Sequence, residues 1–129
     1  MEILIAGHGE LPEALLSSAR MIGGELSQVS AMGLFPGETP QDFRARMLER
    51  LSERPVELIL TDLAGGTPDN VANLVVKSGA HESVRWIIAG ASLPLLLEIA
   101  LMPEGVEFDS EVALEETVAQ IRYVKASVE

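Results

Sequence analysis

The feature that most constrains this chain is a repeated alternation, in which apolar runs of strand length are each followed by a segment of helical period. Residues 2–6 (Glu2-Ile3-Leu4-Ile5-Ala6) predict a first strand that ends at Gly7-His8-Gly9. Residues 11–22 place Leu11, Leu15, Ala19 and Ile22 on one helical face, and Gly23-Gly24 stops that helix. Residues 28–34 predict a second, less apolar strand suited to a sheet edge. Thr39 then supplies an N-cap and Pro40 a first-turn proline. The helix that follows buries Phe43, Met47, Leu48 and Leu51 and turns Arg44, Arg46, Glu49 and Arg50 to water. A third strand over 56–61 ends at Asp62, and Gly65-Gly66-Thr67-Pro68 caps a helix carrying Val71, Leu74 and Val75. A fourth strand over Val84–Ala89 leads through Gly90-Ala91-Ser92 into a helix from about Leu93. After a turn at Pro103-Glu104-Gly105, residues 110–120 predict a last helix. The tail from Ile121 to Val128 mixes the strand propensity of Tyr123-Val124 with a helical context.

Strands and helices alternating at this spacing imply right-handed crossovers and a doubly wound, mostly parallel α/β sheet with helices on both faces. A length of 129 residues, without repeat or linker, makes one domain over 1–129. Ligands of such sheets bind at the carboxyl ends of the strands, where the strand order reverses. The loops after strands one, three and four are therefore the place to look for chemistry.

Composition narrows that chemistry. With nine basic and twenty acidic residues, the formal net charge is −11. That balance excludes nucleic-acid partners and anionic membrane surfaces, both of which are held through basic patches. Cysteine is absent, which removes disulfides, thiolate nucleophiles and zinc–thiolate clusters. Two histidines, His8 and His81, make a multi-histidine metal site improbable, and no cofactor or metal is expected. Met1-Glu2 runs into an apolar stretch without the basic start of a signal peptide, and the uncharged run Trp86–Leu97 is too short to span a bilayer. The expected location is the cytoplasm.

Three groups remain. His8 follows strand one between two glycines, which leave its imidazole accessible and let backbone N–H groups approach an anion. Position alone is equally compatible with a histidine filling a turn. His81 lies in a polar loop and reads as solvated. Asp62 lies at the matching point after strand three; it is either a loop cap or, if strands one and three are neighbours, the carboxylate that orients His8. An oriented neutral imidazole is a competent nucleophile. Gly65-Gly66-Thr67-Pro68 is ordinary helix-start grammar, but its glycines also free the backbone to wrap N–H groups around an anion at the positive helix end. Neither a P-loop lysine nor Gly-x-Gly-x-x-Gly is present, so nucleotide binding is unsupported. Together the groups point to a histidine that carries a phosphoryl group. The acidic residues crowd between Glu98 and Glu129, against only Arg122 and Lys125.

Gly7-His8-Gly9, Phe35-Pro36-Gly37-Glu38 and Asp62-Leu63-Ala64-Gly65-Gly66-Thr67-Pro68, in that order, resemble the mannose-class enzyme IIA of the phosphoenolpyruvate-dependent sugar phosphotransferase system (PTS). Gly90-Ala91-Ser92-Leu93-Pro94 resembles the segment after that family's fourth strand. The resemblance implies a sheet of order 2-1-3-4, and a homodimer that exchanges a C-terminal antiparallel strand, for which Ile121–Val128 is the candidate. It implies that His8 accepts phosphate from HPr and passes it to a histidine of the IIB component during sugar uptake. It further implies that Asp62 orients His8, and that Gly9, Thr67 and the Gly65-Gly66 backbone surround the phosphate. Phe35, Asp69 and Ser92 are candidates for the rim of the site. Two of these depart from the family, which has an apolar aromatic residue at the place of Asp69 and commonly asparagine at that of Ser92. Asp69 either faces the incoming phosphate and partner, repelling them, or faces water in the first helical turn.

Three further readings stay open. One is a receiver-like domain phosphorylated on Asp62, disfavoured because strand one ends in Gly-His-Gly and not in an acidic pair for magnesium. Another is a divergent regulatory or interaction module of the same fold, suggested by Asp69 and Ser92. The last is a phosphate donor in a dihydroxyacetone-kinase-type system.

Overall fold

The computed structural model describes residues 1–126. Four parallel strands, β1 (Ile3–His8), β2 (Val29–Leu34), β3 (Leu58–Thr61) and β4 (Trp86–Ala89), pair in the order β2-β1-β3-β4. Helices α1 (Leu11–Gly23), α2 (Pro40–Glu53), α3 (Thr67–Lys77), α4 (Leu93–Ala100) and α5 (Ser110–Ala119) complete the fold.

Alternation along the strands divides the core in two. Ile3, Ile5, Leu58 and Leu60 join Leu16, Ala19, Leu95, Leu96 and Ile99 on the α1/α4 side. Leu4, Ala6, Met32 and Ile59 join Phe43, Met47, Leu51, Val71 and Val75 on the α2/α3 side. The sheet is thus doubly wound, with its central strands apolar on both faces. No helix among the described residues is long and apolar enough to cross a membrane.

The expected elements form, with shifts that have identifiable causes. On α1 the buried face is Pro12, Leu16 and Ala19, whereas Leu11 and Ile22 are exposed and Leu15 is half-buried. Leucines at both 15 and 16 let the helical period fit two adjacent faces, and packing of α1 on β2 and α4 selects the second. Leu74 of α3 is likewise exposed, the buried set being Pro68, Val71, Ala72 and Val75. β3 and β4 each start two residues late, although Val56 and Val84 ahead of them are still buried. The expected exchanged strand is not formed over residues 121–126, where Ile121, Tyr123 and Val124 are exposed, and Val128 lies outside the described residues.

The edge strand β2 is buried by α1 on one face and by side chains of α2 on the other. Thr39 and Asp42 form a reciprocal capping box that starts α2. Arg46 and Arg50, expected in water, instead donate to the outer carbonyls of Gly33 (2.6 Å) and Ala31 (3.1 Å). Arg54, one turn further on, donates to the Ser27 carbonyl and to Glu2.

Backbone packing at the upper end of β1 and β2 requires glycine. The Gly9 N–H donates to the Leu34 carbonyl at 2.7 Å, which seats the Gly9 carbonyl against Gly33, where a Cβ would lie only 2.0 Å from it. Gly33→Ala must therefore push apart the segments that follow β1 and β2. Urea denaturation is expected to show a loss of about 1–3 kcal/mol, with backbone amide shifts centred on Gly9 and Phe35. Unchanged stability would contradict this close approach.

Candidate active site

The register of β1 on β3 assembles the site. Ala6 pairs with Thr61, so the next residues along the two strands, Gly7 and Asp62, lie side by side. A Cβ on Gly7 would come within 2.9 Å of the Asp62 Cγ, so the missing side chain provides the space that the carboxylate fills. From there Asp62 Oδ2 accepts the backbone N–H of His8 (2.8 Å) and faces its Nδ1 at 2.9 Å, with Oδ1 3.2 Å from Nδ1. An ionised carboxylate only accepts, so Nδ1 bears a proton, and in the neutral ring Nε2 carries the lone pair. The side chain of Asp62 is 9% exposed and that of His8 46%. Nε2 has no hydrogen-bond partner among the described residues. The result is an oriented ring, about half exposed, whose second nitrogen is left unengaged.

The Gly65–Gly66 turn closes the other side of the ring. Gly66 lies so near that a Cβ would stand 2.9 Å from His8 Cε1. Gly65 has φ +79°, a left-handed conformation suited to glycine. The turn's own amides are engaged: Gly65 N–H donates to Asp69 Oδ2 (3.0 Å) and Gly66 N–H to the Leu63 carbonyl (3.1 Å). Gly66, not Thr67, is the N-cap of α3, because Thr67 already has helical geometry and Pro68 follows it within the first turn. The N–H groups of Thr67 and Asp69 have no acceptor among the described residues, so they are the amides left for an anion at this helix end.

The three rim candidates have different fates. Phe35, 48% exposed, lines a groove of about 480 Å³ together with His8, Gly9, Leu34, Pro36 and Glu38. Asp69 turns inward and accepts from Thr61 Oγ1 at 2.7 Å as well as from Gly65, so it neither faces water nor stands free at the rim. Ser92 caps α4 by accepting from Leu95 N (3.3 Å), at the end of β4, a strand separated from β1 by β3. His81 is half-buried in the α3–β4 loop, away from the strands' carboxyl ends.

Sequence reasoning missed two supports. Thr61 is fully buried, and its only signal was a hydroxyl ending an otherwise apolar strand. Arg46 grips Glu38 with two nitrogens (2.5 and 2.7 Å) and so fixes the Phe35–Glu38 wall of the groove. That guanidinium hydrogen bond holds the Glu38 carboxyl below its ordinary 4.5.

Comparison with known proteins places these features in context. The profile of the family described as "PTS system fructose IIA component" matches residues 2–118. The fructose-specific EIIA component of Bacillus subtilis is 36% identical over 107 residues, covering 81% of this chain and 71% of that protein. The mannose-specific EIIAB component of Escherichia coli K12 is 34% identical over 116 residues, covering 87% of this chain but 35% of that longer protein. Among solved structures, a mannose/sorbose-specific IIA subunit from Enterococcus faecalis superposes with a TM-score of 0.80. It is 27% identical, with 99% of this chain and 97% of that one covered.

The Glu38–Arg46 pair gives a pH test. A carboxyl lowered in the folded state contributes stability that is complete above the unfolded value and is lost as pH falls through the folded one. The Phe35–Glu38 wall is therefore expected to stay ordered down through pH 4.5 and to loosen only below it. Amide exchange at Gly37 and Glu38 measures this, and in Arg46→Gln the loosening should begin at higher pH. Identical acid profiles in the two proteins would refute the role of Arg46.

Proposed function

Because the chain belongs to the family of the PTS system fructose IIA component, we propose that His8 is the phosphoryl acceptor of a mannose-class IIA protein. In this reading His8 takes phosphate from phospho-HPr and passes it to a histidine of a IIB component during sugar uptake. The observation that carries the proposal is the pairing of His8 Nδ1 with Asp62 on a half-exposed ring, which leaves Nε2 as the unengaged nitrogen.

The Nε2 lone pair attacks phosphorus, forming an N–P bond as the bond from phosphorus to the HPr leaving atom breaks. The leaving group departs with the electron pair of that bond. Nδ1 keeps its proton throughout, so the ring becomes cationic, and Asp62 offsets that charge. The Thr67 and Asp69 amides, unengaged at the positive end of α3, can donate to phosphate oxygens without any cationic side chain. Transfer to the IIB histidine reverses the same bond changes. The Phe35–Pro36 groove beside His8 offers an apolar docking surface for the two protein partners.

Two competing readings lose their footing. Phosphorylation of Asp62 would require an accessible carboxylate, whereas this one is 9% exposed and turned onto His8. A non-transferring interaction module rested on Asp69 and Ser92, and both side chains have internal hydrogen-bonding roles.

We also infer a homodimer built by exchange of the C-terminal segment. The apolar side chains of Ile121, Tyr123 and Val124 are exposed in the single chain, and β4 has no outer neighbour among the described residues.

Incubation with phosphoenolpyruvate, enzyme I and HPr should add one phosphate that survives alkali and is lost in acid. His8→Ala should abolish labelling, and Asp62→Ala should slow it by about a hundredfold, the order of effect expected when a reacting group is misplaced. Undiminished labelling of His8→Ala would sink the assignment. For the dimer, light scattering should give twice the chain mass, and deletion of residues 121–129 should return a monomer. A monomeric full chain would refute the exchange.

A further inference from the structure

We propose that Asp69 is a positioning residue of the His8 site, a carboxylate that ties the end of β3 to the Gly65–Gly66 turn and so fixes both walls of the imidazole. The inference rests on the reading of His8 as phosphoryl acceptor.

An acid in the first turn of a helix ordinarily projects into solvent and interacts with the helix dipole. Asp69 instead turns back toward the sheet. Its Oδ1 accepts from Thr61 Oγ1 (2.7 Å), and its Oδ2 accepts from Gly65 N–H (3.0 Å). Asn73 Nδ2 donates to the Asp69 carbonyl at 2.9 Å, one turn along α3. Asn70 Nδ2 donates to the Gly65 carbonyl at 3.0 Å. Gly65 is thus held at its N–H by Asp69 and at its C=O by Asn70. A glycine with open space around it and φ +79° would otherwise be among the freest points of the backbone.

The two ends of this bracket have direct consequences for His8. Thr61 immediately precedes Asp62, the residue that holds Nδ1. Gly65 immediately precedes Gly66, the residue packed on Cε1. One carboxylate is therefore bonded next door to each group that confines the ring. Because both of its oxygens are occupied by internal donors, its charge is directed inward and not toward an approaching protein.

Phosphoryl transfer depends on positioning more than on covalent work by the protein. Loosening the ring should therefore reduce the rate of transfer within the complex, and not the affinity for the donor. An asparagine at 69 can keep its oxygen on Gly65 N–H while its NH₂ faces Thr61, whose hydroxyl can rotate to accept. An alanine can satisfy neither donor, and Thr61 would be left buried without an acceptor.

The test is single-turnover transfer of labelled phosphate from phospho-HPr, together with the His8 Cε1–H and Gly65 amide resonances of the unphosphorylated protein. Asp69→Ala is expected to lower the maximal rate by about ten- to a hundredfold, with the half-saturating HPr concentration kept within about twofold. Asp69→Asn should restore most of the rate. Both resonances should move in the alanine variant, and the Gly65 amide should lose its protection from exchange. If Asp69→Ala fails to fold, the double variant Thr61→Val with Asp69→Leu replaces both partners by apolar groups while still releasing Gly65, and carries the same expectation.

A changed half-saturating concentration with an unchanged maximal rate would make Asp69 a docking charge and overturn the proposal. Unchanged kinetics with an unmoved His8 resonance would overturn it as well. Absence of any labelling in the wild-type protein would instead defeat the reading of His8, and the resonance measurements, which need no phosphate, would still decide whether Asp69 positions the ring.

Discussion

The adjacency of β1 and β3 is the constraint on which everything at the upper face depends. Crossover connections leave β1 toward β2 on one side and return to β3 on the other, so the strand order reverses between them. No connecting loop crosses that gap, and the residues that end the two strands face each other across it. With Ala6 opposite Thr61, the register gives Asp62 the place beside Gly7 and delivers its carboxylate under the next residue, His8. A slip of one residue would turn Asp62 to the opposite face of the sheet. The same register sends Leu58 and Leu60 into one core layer and Ile59 into the other. Core packing and site chemistry are thus set by the same register.

In the proposed reading, this coupling also lets an acidic protein accommodate an anionic group. Backbone amides at the start of α3 and an imidazole with a fixed proton need no lysine or arginine nearby. The two carboxylates built into the walls of the histidine are not idle charges. Asp62 binds the ring and its backbone amide, and Asp69 binds a strand hydroxyl and a loop amide. Each acceptor oxygen is matched with a donor, which limits the repulsion that either carboxylate would exert on phosphate.

Much of this was legible in the sequence because it follows from periodicity and punctuation. The alternation of apolar runs with helical segments fixes the strand–helix order. Glycines and Thr-Pro pairs mark the ends of elements. His8 and Asp62 both stand directly at strand ends, so the doubly wound topology brings them together. What stayed hidden has a common physical origin: the direction of side chains with two permitted environments. Arg46 and Arg50 satisfy helical amphipathicity equally well in water or reaching back to strand carbonyls. Leu15 and Leu16 satisfy the same period on two faces. Asp69 fits the first turn of a helix whether it faces out or in, and the buried hydroxyl of Thr61, on another element, together with the Gly65 N–H selects the inward orientation. Such choices are made by tertiary partners that local pattern does not identify.

The row of arginines on α2 has a consequence for how copies of this chain can associate. A parallel sheet has two lateral edges, and a sheet with both edges open can add strands in either direction without limit. Here Arg46 and Arg50 occupy two outward carbonyls of β2 and Arg54 takes that of Ser27 just before it, so three of nine cationic side chains are committed to one border. β4 remains the one terminal strand without such a seal among the described residues. Two copies that meet through it have no second edge to offer a third. An assembly formed that way would close as a pair and not grow as a fibre.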